Sequence, residues 1–132
     1  MEVLETMDEI STDKAPSAIG PYSQALKAGQ FVFCSGQIGI DPATGKLIGV
    51  DIESQTRQVM QNLRRVLAAA KLDLSHVAKT TIFLVNLENF SSVNEIYGAE
   101  FGDHKPARAT VQVAGLPLGA LIEIECVAYI PK

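Results

Sequence analysis

Hydrophobic residues follow two different periods along this chain, and the helical period occurs twice. Over residues 51–70 and again over 90–101, apolar residues recur every three or four positions. Asp51 suits the N-cap of the first segment, and Asn89 or Ser91 suits that of the second. The pattern therefore predicts two amphipathic helices. Their inward residues are Ile52, Val59, Leu63, Val66, Leu67 and Ala70 in the first and Val93, Ile96, Tyr97 and Phe101 in the second.

Five other runs have the character of extended strands, because β-branched and aromatic residues are frequent in them or alternate with polar residues. The run at 31–36 is apolar at consecutive positions, so we expect a strand that is apolar on both faces and therefore central. Turn-forming residues occupy 41–45. The five runs are 19–28, 31–36, 77–85, 105–113 and 121–130.

The order of these elements, β-β-α-β-α-β-β, is typical of one α+β domain, which we place at residues 15–132. Residues 1–14 are polar and acidic, and we expect them to form a loose lead-in. Two helices are too few to cover both faces of a sheet this apolar. We therefore expect the uncovered face to be buried by self-association.

Composition narrows the class of protein. The chain is 47% hydrophobic and 20% charged with a net charge of −4, which is typical of a globular domain and argues against a nucleic-acid-binding surface. No apolar run is long enough to span a bilayer, so we expect no membrane association. The acidic N-terminus has neither a signal-peptide core nor an Arg-rich transit sequence, and we expect a soluble, cytoplasmic protein.

Cofactor and metal motifs are missing from the sequence. There is no phosphate-binding loop, nucleophile elbow or dinucleotide fingerprint. His76 and His104 stand alone in predicted loops, where a solvated histidine is the usual case. Cys34 and Cys126 lie in apolar strands, which favours small buried side chains over a catalytic thiol or a disulfide. We therefore expect no metal, no cofactor and no covalent nucleophile.

Two charged residues in the last two strands are the main candidates for chemistry. Arg108 begins a strand, and Glu123 lies in a largely apolar strand. A buried charge is costly unless it is paired or used, a guanidinium suits a planar carboxylate, and a desolvated carboxylate can handle a proton. Taken singly, surface exposure explains each of these two charges. Tyr22 alone would fit a core aromatic residue with its hydroxyl satisfied, and Ser35 a small residue at a strand end.

Five segments taken together resemble the reactive-intermediate deaminase A (RidA/YjgF) family. Each is weak alone, but their order from about residue 15 to residue 130, without large gaps, makes the combined resemblance specific. The segments are 18–25 (AIGPYSQA), 35–38 (SGQI), 93–97 (VNEIY), 106–108 (PAR) and 122–125 (IEIE).

The resemblance implies a chorismate-mutase-like α+β domain with a mixed sheet and two helices on one face. It also implies a homotrimer with a cleft between each pair of subunits, which agrees with the uncovered sheet face. The implied activity is hydrolysis of 2-imino acids, such as 2-iminopropanoate and 2-iminobutanoate, to 2-oxo acids and ammonia. Small 2-imino and 2-oxo acids are then the expected ligands.

Family positions imply roles for seven residues. Arg108 matches the arginine that binds the substrate carboxylate, and Glu123 matches the carboxylate that activates water. The hydroxyls of Tyr22 and Ser35 are expected to act in catalysis. Substrate contacts are expected from Gly36 (backbone), Asn94 and Thr110, the last standing where some relatives have a reactive cysteine.

Two other functions stay open at this point. A non-catalytic module that binds small 2-oxo acids would use the same arginine. Some animal relatives are described as ribonucleases or translation inhibitors, although the acidic balance of the chain argues against binding RNA.

Overall fold

The computed structural model describes residues 6–132, in which strands and helices follow the predicted α+β order with three additional short strands. In chain order the elements are β1 (Asp8–Ile10), β2 (Ala25–Ala28), β3 (Phe31–Gln37), β4 (Ile40–Asp41), β5 (Lys46–Leu47), α1 (Ile52–Ala69), β6 (Val77–Leu84), α2 (Phe90–Phe101), β7 (Ala107–Gln112) and β8 (Ile122–Tyr129).

Six of the strands form one mixed sheet, in the order β1-β2-β3-β8-β6-β7. All neighbouring pairs are antiparallel except β6 and β7, which are parallel and are connected by α2. β3 and β8 are central, as the apolar character of 31–36 predicted, and β7 is an edge strand. β4 and β5 form a separate hairpin around the predicted turn at 41–45.

Both helices pack on the same face of this sheet, and the predicted inward stripes account for the packing. Of the ten predicted inward residues, only Ile96 and Ala70 are less than fully buried. Asp51 caps α1 by accepting a hydrogen bond from the Ser54 amide at 2.8 Å, as predicted. Asn89 occupies the N-cap position of α2 but makes no capping hydrogen bond with its side chain. The core therefore lies between the helices and one sheet face.

The start of the described chain differs from the expected loose lead-in. Asp8–Ile10 pairs with β2 as an edge strand, and the Gln24 side chain accepts from the Thr12 amide and donates to the Thr12 carbonyl. Ala15 is fully buried. The prediction was wrong for this part because the tethers come from residues more than ten positions away. Residues 1–5 of the predicted lead-in lie outside the described residues.

The second face of the sheet is covered by neither helix of residues 6–132 and is rich in exposed aromatic residues. Phe31, Phe33 and Tyr129 project from it with between 43% and 48% of their surface exposed, and Val111 lies on the same face at the edge. An apolar surface of this kind is characteristic of an interface. We call it the open face.

Both cysteines are free and buried, as predicted, and face each other across β3 and β8. Hydrogen bonding with Cys34, together with burial, raises the pKa of the Cys126 thiol well above its usual value. The histidines are not simply solvated: the imidazole of His76 accepts from the Asp73 amide, and that of His104 bonds to the Val77 carbonyl. Among residues 6–132, no helix has the length and apolar character needed to cross a membrane.

Candidate active site

A cleft of about 550 Å³ contains four of the predicted site residues. Glu123 and Gly36 lie together in it, and Tyr22 and Ser35 also line it. The segment 16–22 forms one wall and the turn Pro117–Gly119, just before β8, forms another. We call this the Glu123 cleft.

Glu123 is a partly desolvated carboxylate. Burial raises its pKa above the usual value, and the negative charge of Glu125, two residues along the same strand, raises it further. The residues at 6–132 supply neither a hydrogen bond nor a positive charge that opposes this shift. A carboxylate of this kind accepts and returns protons at pH values closer to neutrality than an exposed one does.

Gly36 provides the space that the Glu123 side chain occupies. A Cβ placed on Gly36 would lie 2.7 Å from both Cδ and Oε2 of Glu123. The register between β3 and β8 is irregular between Cys34 and Gln37, so the glycine belongs to a local bulge. The sequence predicted a backbone contact with substrate here, and the structure adds a steric role.

The two predicted hydroxyl groups have different partners. Ser35 donates to the Ser23 carbonyl at 2.6 Å, so its oxygen can only accept from a ligand in this arrangement. The Tyr22 hydroxyl accepts from the Ile19 amide at 3.4 Å, and its own proton has no acceptor among the described residues. Of the two, Tyr22 is therefore the available proton donor.

Arg108, in β7, lies outside the Glu123 cleft, and its side chain packs against α2. Its Nη1 donates to Oδ1 of Asn94 at 2.7 Å, and its guanidinium lies 5.3 Å and 5.2 Å from the ring centres of Phe90 and Tyr97. No carboxylate of residues 6–132 forms an ion pair with it. The aromatic rings and Asn94 orient the cation, and much of its hydrogen-bonding capacity is left for an anion.

Strand register explains why Arg108 and Glu123 are apart. Arg108 pairs with Thr80, whose other neighbour is the buried Cys126, so these three residues share the helix-covered face. Glu123 pairs with Phe83 and therefore belongs to the open face. Within one chain the predicted pair lies on opposite faces of the sheet.

Thr110 follows Arg108 on the same face of β7, as the alternation predicted. Its hydroxyl is buried and has no hydrogen-bond partner among the described residues. The three predicted substrate-binding side chains, Arg108, Asn94 and Thr110, therefore occupy one region at the edge of the sheet. We call it the Arg108 region.

Two buried glutamines that the sequence did not single out hold the walls of the Glu123 cleft. The Gln24 side chain donates to the Pro16 carbonyl at 2.7 Å, and Gln55 accepts from the Leu121 amide at 2.8 Å. Gln24 follows Tyr22 within the AIGPYSQA segment, whereas Gln55 lies in α1, far from every motif. A glutamine inside an otherwise apolar helical stripe is the signal that would have marked it.

These observations define a class: an α+β domain whose open sheet face carries a desolvated carboxylate and whose edge carries an arginine that aromatic rings and an asparagine orient. The family model described as Endoribonuclease L-PSP matches residues 12–130. The chain belongs to this family, which is the RidA/YjgF family of the sequence resemblance.

Individual relatives support this assignment. The chloroplastic Reactive Intermediate Deaminase A of Arabidopsis thaliana is 54% identical over 90% of this chain and 64% of its own. The human 2-iminobutanoate/2-iminopropanoate deaminase is 48% identical over 90% of this chain and 87% of its own. A crystal structure described as a putative endoribonuclease L-PSP from Entamoeba histolytica superposes with a TM-score of 0.93 at 46% identity, covering 95% of this chain and all of that one.

Proposed function

We propose that this protein hydrolyses 2-imino acids to 2-oxo acids and ammonia, with 2-iminopropanoate and 2-iminobutanoate as substrates. Relatives named 2-iminobutanoate/2-iminopropanoate deaminase are 46% and 48% identical to this protein over 90% of the chain. The observation that carries the proposal is Glu123, a carboxylate without a neutralising partner among residues 6–132, in a cleft lined by Tyr22 and Ser35.

In the proposed reaction Arg108 binds the substrate carboxylate through a two-pronged contact and orients the C=N bond. Glu123 removes a proton from a water molecule as the water oxygen bonds to the iminium carbon, which gives a carbinolamine. The proton then passes from Glu123 to the nitrogen. The C–N bond breaks as Glu123 takes the hydroxyl proton and the carbonyl forms, and the ammonia that leaves then accepts this proton as ammonium.

The opposite placement of Arg108 and Glu123 supports an assembly in which each site uses two copies of the chain. The open face needs a cover, and the Arg108 region lies at the edge of the sheet. We propose that the protein is a homotrimer in which Arg108 of one copy completes the Glu123 cleft of the next. A closed ring of three identical contacts would cover every open face.

The test generates the imine in place and measures its hydrolysis. An amino-acid oxidase supplies 2-iminobutanoate, semicarbazide traps the free imine, and the protein lowers the yield of semicarbazone. We expect Arg108→Ala to reduce kcat/KM by about 100-fold or more, because carboxylate binding and orientation are both lost. Arg108→Lys should retain only part of the wild-type kcat/KM, because an ammonium group lacks the planar, two-pronged geometry of a guanidinium.

Glu125 offers a matched control for Glu123, since it lies two residues along the same strand and face. Glu123→Gln should abolish turnover, and Glu125→Gln should keep most of it. Hydrolysis that survives in both Arg108→Ala and Glu123→Gln would contradict the proposed site.

A binding module is the alternative that the same residues allow. Titration with 2-oxobutanoate separates the two functions: a catalyst requires Glu123 for turnover but binds the product without it. Binding without turnover in the wild-type protein would favour the module.

RNA cleavage is a second alternative, because the matching family model is described as an endoribonuclease. The net charge of −4 disfavours an RNA surface. RNA affinity that falls steeply with salt, together with cleavage that Glu123→Gln leaves unchanged, would favour it.

A further inference from the structure

Leu118 combines a strained backbone conformation with an exposed side chain, and neither feature stabilises the fold. Its φ of 58° and ψ of 18° lie in the left-handed region, which a branched aliphatic residue rarely adopts. Its side chain gains little burial in return, since 66% of the residue is exposed. Bulky residues in this conformation cluster at ligand sites.

The turn that carries Leu118 is firmly attached to the core. The Ala120 amide donates to the Pro117 carbonyl at 3.0 Å, and Ala120 is fully buried. The next residue, Leu121, donates its amide to the buried Gln55 side chain. The turn that carries Leu118 is therefore attached to the core through the buried Ala120 and through the hydrogen bond from Leu121 to α1.

Ile19 is a second exposed aliphatic residue that lines the same cleft. It is 84% exposed, and its amide donates to the Tyr22 hydroxyl. Its segment is tied to the core by the buried Gln24 side chain, which bonds to Pro16. Two separate segments, each anchored by a buried glutamine, thus present one large apolar side chain to the Glu123 cleft.

The remaining lining places polar and apolar groups where a 2-imino acid needs them. Glu123 lies against Gly36, and the rest of the lining combines polar side chains with aliphatic ones, which include Ile38, Ile40 and Pro117. A substrate whose reacting carbon lies at Glu123 has one substituent left to place, its side chain. The aliphatic lining is the surface available for that group.

We propose that Leu118 and Ile19 bind the side chain of the substrate and make the enzyme prefer longer aliphatic imino acids to the alanine-derived one. The proposal rests on the imine hydrolysis proposed above and names the substrate class of that site. Contact with one additional methylene group in an apolar pocket changes kcat/KM by about tenfold or more.

The experiment compares imines that an amino-acid oxidase forms from alanine, 2-aminobutyrate and leucine. Each is oxidised to its imine with reduction of oxygen to hydrogen peroxide, and catalase removes the peroxide. We expect wild-type kcat/KM to rise from the alanine to the leucine imine. Leu118→Asn, which suits the left-handed backbone, should lower the leucine-to-alanine ratio by about tenfold, and Ile19→Ala should lower it by about threefold.

Val50→Ala is the matched control, because Val50 is 94% exposed but does not line the cleft. Light scattering on every variant reports the assembly state. An unchanged ratio in Leu118→Asn, or an equal loss for all three imines with a change of assembly, would overturn the proposal and leave the proposed function standing. A wild-type protein inactive on all three imines would overturn both.

Discussion

The Glu123 cleft and the Arg108 region treat their charges in opposite ways. Glu123 is half-buried next to another carboxylate, and burial, together with the negative charge of Glu125, raises its pKa. Arg108 is exposed, yet two aromatic rings and Asn94 orient it. One region holds a destabilised negative charge in place, and the other holds an oriented positive charge. The Glu123 cleft has a group that can accept a proton but no cation, and the Arg108 region has an oriented cation. The two regions are therefore complementary, although the sheet separates them within one chain.

Mixing two inactive variants is the strongest way to break this comparison. Arg108→Ala and Glu123→Gln subunits, unfolded together and refolded at equal amounts, should regain about a quarter of wild-type activity, because random assembly gives one site in four both intact groups. The control refolds each variant alone. No recovery from mixtures that have exchanged subunits would show that the two regions do not meet across an interface.

Gly36→Ala tests whether the Glu123 cleft depends on the close approach of its carboxyl group. The added Cβ would meet the flexible end of the Glu123 side chain at 2.7 Å, so the carboxyl group should shift while the fold stays intact. We expect kcat to fall by about 10- to 100-fold and the unfolding midpoint in urea to change little. Gly115→Ala is the control, since no atom of the described part of the chain lies within 4 Å of its added Cβ. Full activity in Gly36→Ala would refute the steric role.

Glu125→Gln sharpens the electrostatic side of the comparison. Removing the negative charge of Glu125 should lower the pKa of Glu123, which burial still keeps above its usual value. Because the ionised form of Glu123 is the proposed base, the acid limb of the kcat/KM profile should move to lower pH. High salt should reproduce this shift in the wild type by screening. Glu95→Gln, on α2, is the control and should leave the acid limb of the profile unchanged. A shift of the acid limb to higher pH in Glu125→Gln would contradict the electrostatic role of Glu125.

The smallest expected effect is on stability: at neutral pH, Glu123→Gln should modestly increase the free energy of unfolding. Since the pKa of Glu123 is raised on folding, the folded state binds its proton more tightly than the unfolded state. The resulting stabilisation is complete below the unfolded pKa and disappears as pH rises through the folded pKa, above which the charge destabilises the fold. Urea unfolding of both proteins at pH 7 and pH 4 should show the gain only at pH 7. A less stable variant at pH 7 would mean that the carboxylate gains more from a partner in the assembly, such as Arg108 of the next copy, than it loses through burial.

Much of the fold was predictable, because helical and strand periods are local properties of the sequence. The stripes at 51–70 and 90–101 became α1 and α2, and the Asp51 cap was correct. Asp8–Ile10 and the β4–β5 hairpin were missed, because strands of two or three residues have too few positions to show a period.

The sequence by itself determined the family, through five motifs in order, and the alternation that puts Arg108 and Thr110 on one face of β7. Only the tertiary structure decided that this face is the helix-covered one and that Glu123 lies on the other. It also decided that Gly36 makes room for Glu123 and that Gln24 and Gln55 anchor the cleft walls. The physical reason is the distance along the chain over which each feature is determined. Side-chain alternation follows from neighbouring residues, whereas strand order and register depend on contacts between residues far apart in the chain.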